Sequence, residues 1–589
     1  MSRCLLFALA AAAASACAPP PKLAAWHPEA LLDAPDAAAA LSASPPTVSH
    51  GDTITVNVTS IPASATKKCF VAAFLVGDNF TFTAPLEYYN IPCAAPLLLT
   101  FRAFNARAPW VFVLGDKGVA TPRVLARSDP VAFRDVASPR AVRLTPMAAP
   151  GALRVAWTSP KPPSSAPRAL LRPLSGGGAN TTFPADTLRL RESDYCGGAA
   201  TGAGYRDSGY FHTAVLTGLA PGARYVYSVG DDADGSAEFQ LTGPPVAGSP
   251  GFFPFLLLAV GDMGQDTPDG AAEQDTFPPA PNTTRLMALD VAGPRQAGGV
   301  LHCGDVSYAR GYVSEWEIFH ASLDSIASRV PYGTNLGNHE RDWSQSTVPS
   351  DSIWGNGTDS GGECGVATAF RFLMPVPTGA NGATPLAAAT NTSALFWAAA
   401  TGPILQVHFS SELDFAPGSP AHDFLRDTLR GVDRAATPWV IVSTHRPIYI
   451  SSTNTDPING DQTVAALLRK HVEPLLMDAG GAPVDLVLYG HHHSYQRLSA
   501  VFNETVVTAS VEEGGVAVYR APRAPVHFVI GTGGAGFSTN TEAAPPPYFE
   551  KVAFVHGYAR ITALNASALA WELVNDVDGS VFDAALLLK

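Results

Sequence analysis

Two aspartates, an asparagine, a tyrosine and several histidines recur in short, glycine-marked motifs. These are Gly261-Asp262-Met263-Gly264, Gly304-Asp305-Val306-Ser307-Tyr308, Gly337-Asn338-His339-Glu340, Val442-Ser443-Thr444-His445 and Gly490-His491-His492-His493. Oxygen and imidazole donors without thiolate suit Fe, Zn or Mn. A glycine before an aspartate removes a side chain where backbone must pass close to an ion. Six or seven donors exceed the needs of one tetrahedral site. Two metals sharing a carboxylate fit the count better, and such a pair activates water and clamps both oxygens of an in-line displacement at phosphorus. Taken singly, each motif also reads as a turn, a helix cap or a hydrogen-bonded strand end. The ordered set does not, with Asp262, Asp305, Asn338, His445, His491 and His493 spaced by 43, 33, 107, 46 and 2 residues.

Each motif follows an apolar stretch that reads as a strand. Phe255 to Val260 is a continuous apolar run, the pattern of a strand buried on both faces. Further strands are expected at Gly299 to His302, Tyr332 to Leu336, Leu405 to Phe409, Trp439 to Ser443 and Val484 to Tyr489. Helices are expected at Thr283 to Val291, Tyr312 to Ser328, Ala421 to Val432 and Thr463 to Met477. Alternation of this kind argues a layered α/β core, in which ligands gather beyond the carboxyl ends of strands. Upstream the rhythm is different. Thr53 to Val58 and Trp110 to Leu114 alternate, as do Leu153 to Trp157 and Tyr225 to Val229, with Gly and Pro between them. Short strands and turns over two stretches of roughly 100 residues suggest two sandwiches of immunoglobulin or fibronectin type. Neither shows a polar cluster suited to chemistry, so both read as scaffold. Gly243 to Gly251 is a linker.

The chain of 589 residues carries 38 Lys and Arg against 51 Asp and Glu, a net charge of −13. That balance argues against nucleic acid as a structural partner, which would require clustered cations. Residues 1–18 read as a secretory signal, with Arg3, an apolar stretch from Leu5 to Ala14 and a small-residue cleavage site at Ala16-Cys17-Ala18. No other segment is apolar for long enough to span a bilayer, and no membrane anchor is expected. Eight glycosylation acceptors support export: Asn57, Asn79, Asn180, Asn282, Asn356, Asn391, Asn503 and Asn565. Cleavage after Ala18 leaves Cys69, Cys93, Cys196, Cys303 and Cys364, an odd number that requires a free thiol. Cys69 and Cys93 are spaced to close a hairpin-sized loop.

The motifs resemble those of the purple acid phosphatases, within the calcineurin-like metallophosphoesterases. The resemblance takes in Arg310-Gly311-Tyr312, Asp359 to Gly365, Thr437 to Ile441 and His445-Arg446-Pro447. Ser193 to Gly197 and His212 to Leu219 resemble the family's fibronectin-like domain, and Val526 to Thr532 with Gly557 to Arg560 its C-terminal segment. The additional N-terminal unit resembles that of the large plant-type subgroup. The implied fold is an α+β multidomain chain, with N-terminal β-sandwich domains of immunoglobulin or fibronectin III type followed by a layered α/β metallophosphoesterase domain. The implied bounds are 35–132, 138–245 and 252–512, with 513–589 completing the catalytic domain.

Carried over residue by residue, the resemblance implies a ferric ion on Asp262, Asp305, Tyr308 and His493. It implies a second ion, Zn, Fe or Mn, on Asp305, Asn338, His445 and His491, with Asp305 as the bridge. Charge transfer from the Tyr308 phenolate would give the family's colour. His339 corresponds to the histidine that orients phosphate and assists the leaving group, with Asn338 and Arg446 as further substrate contacts, while His492 receives no role beyond an outer hydrogen bond. Some members hold substrate with histidines shortly after the position of His445, and Pro447 to Gly460 contains none. The implied function is a secreted acid phosphatase hydrolysing small phosphate monoesters by attack of a metal-bound hydroxide. Its location would be extracellular, in the cell wall, or vacuolar or lysosomal by the secretory route. The alternatives are a diesterase or nucleotide pyrophosphatase on the same centre, and a weakly active or inactive metal-binding glycoprotein. The oligomeric state stays open, a homodimer among the arrangements that remain.

Overall fold

The computed structural model describes residues 32–589 apart from 34, 66, 81, 119–121, 176–178, 250, 342–358 and 376–395. The expected signal and the acceptors Asn356 and Asn391 lie outside the described residues. The other six acceptor asparagines are all exposed. Among the described residues no helix is long and apolar enough to cross a membrane.

Near the N-terminus a five-stranded sheet and a three-stranded sheet close on a core that includes Val56, Val58, Val71, Phe101 and Phe112. Strand Thr53–Ser60 alternates as expected, with Ile54, Val56 and Val58 inward. Trp110–Asp116 does not alternate; it is buried along its whole length, as is its neighbour Cys69–Leu75. The reason is a second apolar contact. Phe70, Ala72, Phe74, Val111 and Val113 turn away from the sandwich core and pack towards Ala203, Ala272 and Tyr312. A disulfide joins Cys69 to Cys93, and a second joins Cys196 to Cys364 across 168 residues. Cys303 is free and buried.

The next seven strands form one path that folds on itself. In strand Thr181–Arg189, residues Thr181 to Pro184 pair with Arg168–Pro173, while Ala185 to Arg189 pair with Tyr210–Leu216. The two halves close around Val155, Trp157, Leu171, Leu216 and Tyr227.

From Phe255 onward two eight-stranded sheets lie face to face over Leu257, Ala259, Ile441, Leu488, Phe528 and Trp571. Phe255–Val260 runs parallel to Val300–His302, which runs parallel to Tyr332–Thr334. Its other edge pairs antiparallel with Gly557–Ala563. In the second sheet Ile404–Phe409, Trp439–Ser443, Leu486–Tyr489 and Val526–Ile530 are parallel. Helices cover both outer faces. Ala280–Ala292 and Val313–Ala327 bring Met287, Trp316 and Leu323 onto the first sheet's outer core, while Pro420–Arg430 and Asp461–His471 bring Leu425, Leu429, Val464 and Leu468 onto the second's. The central strands of both sheets are thus buried on both faces. In Phe255–Val260 the even positions Leu256, Leu258 and Val260 face the helices, and the odd ones face the opposing sheet. The helix expected from Thr463 to Met477 stops at His471 and continues as a 3-10 turn over Glu473–Met477. Pro474 has no N–H for the next helical bond.

The N-terminal sheets dock on the segment that follows Asp262. Tyr88 and Ala272 exchange backbone hydrogen bonds of 2.9 and 2.8 Å. Beside them lies an acidic seam of buried Glu87, Glu273 and Glu315 with partly buried Asp266 and Asp269. Neither carboxyl oxygen of Glu87 has a hydrogen-bond partner. Burial, reinforced by the neighbouring carboxylates, pushes Glu87 and Glu315 far above the ordinary range. Asp266 is pushed up to about 7 and Glu273 to about 8 by the same causes. These groups bind protons more tightly folded than unfolded, so their contribution to stability is complete below the ordinary carboxyl pKa and is lost as pH rises through the raised values. The expected result is a melting temperature that falls from about pH 5 to about pH 8, and a shallower slope in Glu87→Gln. Parallel profiles for the two proteins in a calorimetric pH series would contradict this account.

Candidate metal centre

The strand ends deliver the chemistry. Asp262 and Asp305 follow adjacent parallel strands of the first sheet, and Asn338 follows the third. His445, His491 and His493 follow strands Trp439–Ser443 and Leu486–Tyr489 of the second sheet. The two facing sheets present these strand ends at the same end of the sandwich, and two groups of donors result. Tyr308 Oη lies 3.2 Å from Asp262 Oδ1 and 2.9 Å from His493 Nε2, which is itself 3.3 Å from Asp262 Oδ1. Asn338 Oδ1 lies 3.0 Å from both His445 Nε2 and His491 Nδ1. Asp305 stands between them. Its Oδ2 is 3.3 Å from His445 Nε2, and its carboxylate shares a 4.8 Å cluster with Asp262 and His493.

This arrangement fits a pair of metal ions. Donors bonded to one ion at about 2.1 Å sit about 3 Å from their neighbours around it, which is the spacing seen in each group. A side chain at Gly337 would bring a Cβ to 2.1 Å from Asp305 Oδ1, and one at Gly490 to 2.3 Å from Asp262 Oδ2, so neither position tolerates one. Asp262, Asp305, Tyr308 and His491 all hold positive φ, between 48° and 70°. Such backbone strain costs of order 1–3 kcal/mol per residue and persists only where the surroundings over-determine it. The electrostatics also call for cations. Burial opposes charge on Asp305, yet the imidazoles of His445 and His339 hold its carboxyl well below the usual range. Burial likewise opposes charge on His445, but Asp305 and Asp262 push it up to about 10. Burial and then Asp262 and Asp305 push the Tyr308 phenol far up, so only a cation would release its proton.

The second nitrogen of each converging histidine is also engaged. His445 Nδ1 pairs with the Cys303 carbonyl at 3.0 Å, His493 Nδ1 with the Gly536 carbonyl at 2.6 Å, and His491 Nε2 with Asp461 Oδ1 at 3.1 Å. Such partners fix ring orientation and tautomer. Two of them are backbone atoms and leave no trace in the sequence; Asp461 opens helix Asp461–His471. His492 turns away, its Nδ1 2.7 Å from Ser494 Oγ, and burial lowers it to about 4.

His339 donates its backbone N–H to Asp305 Oδ1 at 2.9 Å. Its ring lines a cavity of about 380 Å³ together with Tyr88, Asp275, Tyr308, Arg310 and His493. His339 Nδ1 pairs with the Asp359 carbonyl at 3.0 Å, and Asn338 Nδ2 donates to Asp359 Oδ2 at 2.9 Å. One residue therefore orients both members of the Asn338-His339 pair. Arg446 is buried against Glu412 at 2.8 Å and donates to the Asn459 carbonyl, with Nη1 3.2 Å from His491 Nε2. Among the described residues the guanidinium lining the cavity is that of Arg310, which in the sequence stands only as part of Arg310-Gly311-Tyr312. Tyr88 comes from the N-terminal sheets, a unit the sequence presented as scaffold alone.

Three family models match in tandem: Purple acid Phosphatase, N-terminal domain over residues 139–242, Calcineurin-like phosphoesterase over 256–495, and Iron/zinc purple acid phosphatase-like protein C over 524–584. The chain is 31% identical over 506 residues to the Arabidopsis thaliana protein named Probable inactive purple acid phosphatase 1, covering 83% of this chain and 76% of that one. It is 28% identical over 372 residues to a Hordeum vulgare Nucleotide pyrophosphatase/phosphodiesterase, covering 61% of this chain and 90% of that one. The purple acid phosphatase PPD1 from yellow lupin (Lupinus luteus) seeds superimposes with a TM-score of 0.79 at 25% identity, covering 94% of this chain and 96% of that one. With its paired donors at the strand ends and an aligned match through N-terminal, catalytic and C-terminal parts, the chain belongs to the purple acid phosphatase family, phosphatase hydrolases built around a dimetal centre.

Proposed function

We propose that the protein is a secreted acid phosphatase acting on small phosphate monoesters. The convergence of seven donor side chains in two groups sharing Asp305 carries the reading. Asp262, Asp305, Tyr308 and His493 would hold a ferric ion. Asp305, Asn338, His445 and His491 would hold Zn, Fe or Mn. Such a pair supplies Lewis acidity and activates water at phosphorus. The protein's own residues do the rest. Asn338 and His339 face the phosphate, and the Asp359 carbonyl keeps the Nδ1 proton of His339 in place. Nε2 is then the nitrogen that hands a proton to the oxygen that leaves.

The same reading divides the chain at 35–132, 138–245, 252–512 and 513–589, with the first two units of immunoglobulin or fibronectin III type. Export to the cell exterior, wall or a vacuolar compartment is supported by the leader-like start, six exposed glycosylation acceptors and two disulfides.

Metal analysis with a visible spectrum, run beside a panel of monoesters and diesters, tests the proposal as a whole. Asp305→Asn is expected to lose metal and activity together; two ions per chain in that variant would refute the bridge. The iron-loaded enzyme should absorb broadly in the visible, and Tyr308→Phe should abolish the band. A colourless wild type at full iron occupancy would exclude the phenolate ligand. His339→Ala should keep the metals and the band while lowering kcat by about 10²–10⁴ on alkyl phosphates. Its loss should shrink on nitrophenyl phosphate, whose leaving group needs little protonation, and an equal loss on both would mean that His339 positions phosphate instead.

A further inference from the structure

A second cavity, of about 640 Å³, opens between the N-terminal sheets and the helices Ala280–Ala292 and Val313–Ala327. None of its lining residues belongs to the strand-end donor set. The volume lies in the range of pockets that enclose a small organic ligand. His50, Arg102 and Phe104 line it from the N-terminal side, and Arg285, Ile318 and Asp324 from the helices. This lining is mixed in sign. Arg102 and Arg285 are exposed, and neither forms an ion pair among the described residues. His50 Nδ1 accepts the Asn105 N–H at 3.1 Å, which leaves Nε2 as the donor, 3.5 Å from Asp324 Oδ2. Buried Phe104 and Ile318 supply an apolar floor. A phosphate would meet the carboxyls of Asp324 and Asp266 at close range and be repelled. A sugar suits the surface better, because its hydroxyls both donate and accept while its C–H faces pack on apolar side chains.

One residue of the lining is itself an attachment point. Asn282 opens the acceptor Asn282-Thr283-Thr284 and is exposed in the first turn of helix Ala280–Ala292, three residues from Arg285. Thr284, which completes the acceptor, is buried, its hydroxyl shared between the Ala280 and Pro281 carbonyls at 3.1 Å each. A transferase has no access to a hydroxyl sealed in this way, so a sugar joins Asn282 before the helix forms. The cavity then closes beside a ligand that is already present. Tethering also relaxes the demand on affinity. A ligand on a short flexible linker experiences an effective concentration in the millimolar range, so weak contacts are enough to hold it.

We propose that an oligosaccharide on Asn282 folds back into this cavity and fastens the N-terminal sheets to the helices of the catalytic unit. This rests on the export proposed above, which supplies the sugar. In the attachment, Asn282 Nδ2 bonds to the anomeric carbon of a lipid-pyrophosphate-linked oligosaccharide. The bond from that carbon to the pyrophosphate oxygen breaks, its electron pair leaves with the carrier, and one amide proton passes to solvent. In the folded chain the sugar bridges Arg102 and Phe104 on one wall and Arg285 and Ile318 on the other. The backbone exchange between Tyr88 and Ala272 already joins the same two units. The sugar is a second fastening, placed on the far side of the acidic seam that weakens as pH rises.

The test uses the full chain secreted from a eukaryotic host, with each acceptor followed by glycopeptide mass spectrometry. Under native conditions an endoglycosidase should trim Asn282 at least about tenfold more slowly than the five other exposed acceptors, the factor expected for a sugar docked roughly nine-tenths of the time. Denaturation should equalise the six. Ser325→Trp keeps the acceptor and puts a bulky ring at an exposed position of the lining, so it should raise trimming at Asn282 to the rate of the others. In hydrogen exchange, Asn282→Gln should speed the amides of Tyr88 and Ala272 by about threefold or more, and Asn57→Gln should leave them unchanged. Equal trimming at all acceptors in the wild type would overturn the proposal. Slow trimming that persists in Ser325→Trp would place the sugar elsewhere, and unchanged exchange in Asn282→Gln would remove the fastening; either result overturns it as well. A bare Asn282 beside modified acceptors would sink the proposal and leave export standing, whereas six bare acceptors would remove both.

Discussion

Carboxylate, phenol, amide and imidazole donors held about 3 Å apart compete for protons and repel as their charge builds. Left to local preference they would separate, so the site exists because the rest of the molecule forbids separation. Five strands buried on both faces bring the donors to one end of the paired sheets. Close-packed backbone at Gly337 and Gly490 admits no side chain between them. Positive φ at four donor positions turns the side chains inward at an energetic cost that only a rigid frame can sustain. The helices on both outer faces add one orienting carboxylate, Asp461 beside His491, and without them neither sheet would be buried on both faces and the strand ends would not hold their spacing.

A second frame lies at right angles to the first in logic. The clustered donors come from strand ends, whereas the groups that orient and line the cavity beside them are placed by contacts between units. Asp359, which orients both Asn338 and His339, sits in the segment tied through Cys364 to Cys196. Arg310 belongs to the same junction, and Tyr88 arrives from the N-terminal sheets through a two-bond bridge to Ala272. The division makes physical sense. Ion binding tolerates little positional error and rests on the stiffest part of the fold, while the cleft walls can be varied by re-docking a peripheral unit.

The sequence exposed the first frame well and the second poorly. Apolar runs such as Phe255 to Val260 and Trp439 to Ser443 have a strand's length and composition, and the donors that end them belong to few residue types, so order and spacing were enough. The helix through Thr463 failed only where Pro474 interrupts it. The expected alternation at Trp110 to Leu114 failed because its outer face is buried by other parts of the chain, which periodicity within a strand cannot foresee. Cys196 and Cys364 lie too far apart for spacing to pair them. The carbonyls of Cys303, Gly536 and Asp359 orient three histidines through atoms that every residue possesses. Nothing in the letters marks them.

Strand Phe255–Val260, which presents Asp262, is an interior strand, and one of its neighbours is Gly557–Ala563. On the ribosome, the first donor motif therefore emerges long before the partner that completes its sheet. Until then one edge of a fully apolar strand has no hydrogen-bond partner, and an unpaired edge of that kind invites association with other chains. The glycosylation acceptor at Asn282, exposed on the helix that follows this strand, stands where an attached sugar would keep the nascent half-sheet soluble. The strand most in need of cover during synthesis is then the very one that presents Asp262 in the finished fold.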